Sequence, residues 1–231
     1  VRVSRRALPR CLLGSAFDIA WPSMTLRIDL KSAILALSDA LDLVGVSDFQ
    51  HGKRVAMIAR ETGLMLGLPE KRLDRLVCAS LLHDLGVSST AVHRRLQREA
   101  DWDDRQEHCE RGYRLLLPFT HLSLVANAIR YHHTPWPELP GGLSEVDALD
   151  SNLILLADRV DAMLLQKGLE NPLFNRDGVV EAIATLAGSL LSPDAVQAFV
   201  AAAAREAFWI ALVPRHVHSY LNDLALGDWR I

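Results

Sequence analysis

Three features of the 231-residue chain predict an all-α fold. Apolar residues recur at three- and four-residue spacing through nearly every segment, the period of a helix that buries one face. No stretch of useful length alternates apolar and polar residues as a half-buried strand would. Helix punctuation is frequent: Pro69-Glu70 and Ser192-Pro193-Asp194 read as starts, Gly45 and Gly86 as stops. The expectation is one helical bundle with a helical tail.

Taken in order, "LKSAILALSDALDLVG" is periodic and stops at Gly45. "HGKRVAMIARETGLMLGL" sets Val55, Ile58, Ala59, Leu64 and Leu66 on or near one face. "PEKRLDRLVCASLLHDLG" opens with a proline and an acid in its first turn and ends at Gly86. A polar connection follows over 87–103. Helices are then predicted over 104–117, 121–133, 147–167, 176–191, 193–209 and 213–225. "HTPWPELPGGLS", 133–144, is rich in proline and glycine and must be a loop. The chain divides into an N-terminal extension over 1–28, a domain over 29–208 and a tail over 209–231 that packs on the domain or on a partner. The extension is basic, then mildly apolar, and is expected to be disordered, with Met24 as an alternative translation start. Asp18 interrupts its short apolar run, which argues against a signal peptide.

Composition excludes several classes of function. The chain is 50% hydrophobic and 23% charged, as ordinary globular domains are. A formal net charge of −3 leaves no electrostatic footprint for DNA or RNA. Cys11, Cys78 and Cys109 are scattered, with no CxxC pair. That argues against a disulfide framework or zinc finger and for a reducing cytoplasm. No apolar run reaches the ~18 residues of a membrane span.

The chemistry lies in histidines with acidic neighbours: His51, His83-Asp84, His108, His132-His133 and Asp158. They recur at intervals of about 24–32 residues, so each helical segment delivers one ligand or pair, as in helical metalloproteins. Imidazole with carboxylate suits iron, manganese, zinc or nickel rather than calcium or magnesium. Five histidines and two aspartates exceed the needs of one ion with an open position; they suffice for two ions sharing a carboxylate. Two metals close together clamp a phosphoryl group and activate water at neutral pH. His93, His121, His216 and His218 read as ordinary polar or capping residues.

"HGKRV", "LLHDLG", "HCERG", "IRYHH" and "ILLADRVDAM" resemble, in order and spacing, the motifs of the HD superfamily of metal-dependent phosphohydrolases. They look most like its HD-GYP branch, the bacterial cyclic di-GMP phosphodiesterases, over roughly 47–205. The resemblance implies a helical bundle around a dinuclear centre. His51, His83, Asp84 and Asp158 would hold one ion, and His108, His132 and His133 the second, with Asp84 bridging. Two divalent transition-metal ions are implied, iron or manganese first, zinc or nickel as alternatives, with an activated water as nucleophile. Arg54, one turn after His51, is a candidate phosphate contact or else a solvated helix charge. Asp161 shares the helix face of Asp158 and is a candidate to orient a ligand or water.

Three positions depart from the branch's pattern. Val87 stands where "HDxGK" places a phosphate-binding lysine. "HHTPWPELPGGL" replaces "HHExxDGxGYP", with Thr134 in place of a glutamate. Ser47 replaces the acid that holds a third ion in some members. The losses fall on substrate recognition, while every implied ligand remains. The leading expectation is hydrolysis of a phosphoester, most simply a cyclic dinucleotide. The alternatives are a sensory or binding module of weak turnover and a di-iron oxygenase on the same scaffold. The apolar tail, with Trp209 and Trp229, suggests a homodimer contact or an attached sensory or output domain.

Overall fold

The computed structural model describes residues 30–45, 50–87 and 105–224. The N-terminal extension, Ser47, His93, the connection over 88–104 and Trp229 lie outside them. Among the described residues ten α-helices run in order: α1 Leu30–Gly45, α2 His51–Met65, α3 Glu70–Leu81, α4 Arg105–Leu116, α5 Ser123–Arg130, α6 Glu145–Lys167, α7 Arg176–Ala184, α8 Pro193–Ala203, α9 Glu206–Ala211 and α10 Pro214–Asp223. No strand occurs among the described residues, so the all-α expectation holds.

α2 and α6 form the centre. α2 packs on α3, α6 and α8, while α5 bridges α3, α4 and α6. Val55, Ala56, Ile58 and Ala59 of α2 meet Leu153, Ile154, Leu156 and Val160 of α6 in one apolar core. Such burial, at about 25 cal/mol per Å² of apolar surface, is the main stabilising force. α6 starts where the Ser144 hydroxyl accepts from the Asp147 amide, 3.1 Å, and ends at Gly168 with φ 94°. α8 is capped in the same way by Ser192, with Pro193 in its first turn.

Several boundaries differ from those read in the sequence. The run over 69–86 is helical only to Leu81, and 82–86 is a turn. The segment predicted over 121–133 is helical only from Ser123 to Arg130. The helix predicted over 176–191 stops at Ala184, and the chain then turns through Gly188, which adopts a left-handed φ of 76°. There the Leu190 carbonyl accepts from Asn152 Nδ2 (3.2 Å) and the Trp136 amide (2.9 Å), tying this loop to α6 and to the 133–144 loop. The helix predicted over 193–209 breaks in two at Ala204-Arg205. The Trp209 indole folds back to donate to the Ala203 carbonyl at 2.7 Å, covering the end of α8.

The tail is turned inward. Trp209, Val217 and Leu221 are buried, and α10 lies on α2. Tyr220 donates to Glu61 at 2.6 Å, and Lys31 donates to the Asn222 carbonyl at 2.6 Å. Lys53, itself buried, is ion-paired with Asp39 and lies 3.3 Å from His218 Nδ1. The tail therefore braces the helix that opens with His51.

Candidate metal centre

His51 is the first residue of α2. The preceding Gln50 holds a left-handed φ of 67°, and its amide donates to Asp42 at 2.6 Å, so α1 fixes where α2 begins. Gly52 permits the close crossing, since a Cβ there would stand 2.7 Å from the Ser38 hydroxyl. His83 and Asp84 occupy the turn after α3, and His132 and His133 the turn after α5. His108 comes from the start of α4, Asp158 and Asp161 from the middle of α6.

Two glycines bring α4 up to the His-Asp turn. A Cβ on Gly86 would lie 1.9 Å from the His108 carbonyl oxygen and 2.6 Å from the Gly112 amide. Only glycine allows this approach. Arg111 locks it by donating to the Gly86 carbonyl at 2.8 Å.

The seven side chains converge. His51 Nε2 lies 3.3 Å from His83 Nε2, 3.6 Å from Asp158 Oδ1 and 3.7 Å from Asp84 Oδ2. His108 Nε2 lies 3.4 Å from His132 Nε2 and 3.6 Å from Asp84 Oδ1. The His132 and His133 rings are 4.1 Å apart. Asp84 thus turns one oxygen toward each group of histidines.

The opposite edges of three rings are tied back. His51 Nδ1 is 2.7 Å from Asp161 Oδ2, His83 Nδ1 is 2.8 Å from the Ser80 carbonyl, and His132 Nδ1 is 2.6 Å from the Ile129 carbonyl. A carbonyl can only accept, so His83 and His132 carry their protons on Nδ1 and aim Nε2 lone pairs inward. Asp161 is fully buried and also accepts from Arg54, at 2.5 Å from Nε and 3.0 Å from Nη2. Arg54 is itself fully buried, so the solvated reading of that charge is corrected.

The electrostatics suit a cation. Burial, with the charges of His108 and His83, holds His132 down to about 3, and burial with His132 and His108 keeps His133 well below its usual range. Burial opposes ionisation of Asp84, but His83, His108 and His51 override it and hold its carboxyl well below the carboxylate range. Burial likewise opposes charge on His51, yet Asp161, Asp158 and Asp84 lift it to about 9. His132 and His133 are thus held neutral beside the ionised Asp84, the ligand forms a divalent ion requires, whereas the carboxylates around His51 and His83 raise these two rings, which must release their protons to an ion. His51, His83 and Asp158 form one group with donors close enough to share an ion, and His108, His132 and His133, joined by Cys109, form another. The donor set fits two transition-metal ions.

Sequence reasoning passed over Cys109, Gly86, Gly112 and Arg159. Cys109 follows a ligand candidate directly, and residue type was the available signal. Arg159 donates to Asp158 Oδ2 at 3.0 Å and retains 18% side-chain exposure, beside 15% for Asp84 and 12% for Asp158. Those three mark the open edge of an otherwise closed site. Val87 lines a cavity of about 20 Å³ beside His51, His83 and Asp84, room for one water. His121 and His218 are exposed, and His216 Nδ1 lies 2.9 Å from the Ile210 carbonyl; none of them joins the cluster.

Residues 48–163 match the HD domain family, and the chain belongs to it. It is 32% identical over 226 residues to the 3'3'-cGAMP-specific phosphodiesterase 1 of Vibrio cholerae, covering 93% of this chain and 49% of that protein. It is 28% identical over 160 residues to the cyclic di-GMP phosphodiesterase of Thermotoga maritima, covering 65% of this chain and 43% of that one. The chain thus spans about half the length of the curated relatives it matches. A crystal structure of a cyclic GMP-AMP-specific phosphodiesterase from V. cholerae has the same fold, with a TM-score of 0.67 at 20% identity, over 84% of this chain and 53% of that one. Among the described residues no helix is long and apolar enough to cross a membrane.

Proposed function

We propose that the chain is a metal-dependent phosphodiesterase that opens a cyclic dinucleotide of the 3'3'-cGAMP and cyclic di-GMP kind. His51, His83, Asp84 and Asp158 would hold one divalent transition-metal ion, and His108, His132 and His133 the other, with Asp84 bridging and iron or manganese the assigned metals. The observation that carries the reading is the inward convergence of imidazole Nε2 atoms whose Nδ1 edges are tied away. The substrate class rests on the relatives' activities.

Such ions supply Lewis acidity at a phosphoryl oxygen and lower the pKa of bound water. The protein contributes position. Asp161 orients His51 and is itself held by the Arg54 guanidinium, so Arg54 acts behind the site rather than on substrate. Arg159 stands at the open edge next to Asp158, offering a planar cation that suits a phosphodiester, the charge that Val87 does not supply. In the reaction, water oxygen bonds to phosphorus as one phosphorus–oxygen ester bond breaks. The departing alkoxide takes up a proton, leaving a linear dinucleotide.

The test is incubation of iron- or manganese-loaded protein with 3'3'-cGAMP and cyclic di-GMP, with products separated by chromatography. A linear dinucleotide is expected from at least one of them. Intact substrate from protein shown to hold two ions would reject the reading. Arg159→Ala should raise KM about tenfold or more with metal content unchanged; loss of metal instead would make Arg159 only an anchor for Asp158.

A further inference from the structure

α1 crosses α2 with the Ser38 hydroxyl against Gly52, and there Ser38 and Asp42 of α1 line the same cavity of about 20 Å³ as His51, His83 and Asp84. One water needs about 10–15 Å³. Leu41, Gly52, Leu81 and Val87 complete the wall without a polar side chain. His51 and His83 turn Nδ1 to Asp161 and the Ser80 carbonyl and Nε2 into the cluster, so the polar groups left to the cavity are those of Ser38, Asp42 and Asp84. Asp42 is 9% exposed and takes the Gln50 amide on Oδ2. Ser38 is 1% exposed, and its hydroxyl has no hydrogen-bond partner among the described residues. A buried hydroxyl in that position costs free energy unless solvent completes it.

We propose that this cavity binds an ordered water that accepts from the Ser38 hydroxyl and donates to the carboxylates of Asp42 and Asp84. Donors and acceptors then balance, and the water makes about three hydrogen bonds, the usual number for a buried one. A cation in the same place would face the ions that Asp84 holds, whereas a neutral donor of two protons does not. The consequence for the centre rests on the metal reading and deepens it. Asp84 is the carboxylate that would bridge both ions, and a partner outside the ligand shell fixes the orientation of a ligand. Ser38 and Asp42 are therefore positioning residues that act on Asp84 through the water, and α1 becomes part of the centre rather than a covering helix.

Three measurements on the full chain test the assignment. A crystal structure of the wild type, which requires no variant to fold, should show a solvent peak about 2.5–3.0 Å from oxygens of Ser38, Asp42 and Asp84. In metal-free protein Ser38→Ala should lower Tm by about 2–4 °C, the worth of one hydrogen bond in a domain of this size. A hydroxyl without a partner would give the opposite sign, because its removal relieves a buried polar group. Manganese titration against a chelating dye should show Ser38→Ala and Asp42→Asn holding ions at least ~10-fold more weakly than wild type. A hydroxyl that only packs would leave that affinity unchanged. No solvent peak, or an unchanged or higher Tm in Ser38→Ala, would overturn the water. Wild-type ion affinity in both variants would overturn the positioning role. A wild type that binds no manganese would reject the metal reading and the positioning role with it, while the first two measurements still decide the water.

Discussion

Replacing Gly86 with alanine should separate the two halves of the site. The added Cβ would stand 1.9 Å from the His108 carbonyl oxygen and 2.6 Å from the Gly112 amide, both backbone atoms that no rotamer change can move aside. An ordinary contact begins at 3.4 Å, so α4 must retreat by about 1.5 Å. Metal–ligand distances tolerate about ±0.2 Å, and His108 travels with α4, so the retreat exceeds the tolerance several-fold. The Arg111 bond to the Gly86 carbonyl is lost with it. Overpacking of this kind costs about 1–3 kcal/mol, which in a domain of this size lowers Tm by about 2–12 °C. Metal analysis of purified Gly86→Ala should give one tightly held ion per chain where the wild type gives two, and calorimetry of metal-free protein should show the drop in Tm. Gly141→Ala is the control, because a Cβ there meets nothing within 4 Å. Full metal content together with a wild-type Tm in Gly86→Ala would refute the reasoning.

Four further substitutions, one of them a control, probe other links. Asp84→Ala should cost both ions, because its two oxygens face opposite histidine groups, whereas His121→Ala at an exposed position should cost none; metal analysis of both decides. Asp161→Asn keeps the shape but leaves the buried Arg54 guanidinium facing an amide, so urea melts should show a loss of about 3–5 kcal/mol, and ion binding should weaken about 10–100-fold. A stability within 1 kcal/mol of wild type would be the wrong result. Asp150 gives a pH signature: burial outweighs its bond to Arg72 and pushes its carboxyl up from 3.8 to about 6. The folded state therefore holds that proton more tightly than the unfolded one. The stability so gained is present below pH ~4 and lost as pH rises through about 6. Wild type should lose up to about 3 kcal/mol relative to Asp150→Asn across that window; a difference constant with pH would count against it.

What could be read in the sequence was residue type at helical spacing. Every candidate ligand reached the cluster because each sits at the end or on the inner face of a helix whose apolar stripe the sequence displays. Helix ends were less legible for a physical reason. Leu82 and Leu85 stay in the core although the helix has stopped at Leu81, so the apolar pattern runs on through the turn. The solvated alternative for Arg54 stood open because its partner Asp161 is 107 residues away, and nothing local distinguishes a buried guanidinium from a solvated one. The Gly86–Gly112 approach was invisible for the same reason: it joins two segments through backbone atoms, which carry no residue signature.

Those early helix ends also explain why the paired residues sit where they do. Ser80 and Ile129 lie in the last turns of α3 and α5, where backbone carbonyls have no amide partner within the helix. His83 and His132 each follow three residues later on the adjoining turn and donate Nδ1 to those carbonyls at 2.8 and 2.6 Å. A helix terminus thus does for these two rings what Asp161 does for His51. Had either helix continued, the carbonyl would accept from the next turn's amide, and the ring would lose the partner that fixes its tautomer. The break after Leu81, which leaves His83 and Asp84 on a turn rather than in the helix predicted over 69–86, is therefore a condition for His83 to be an oriented ligand.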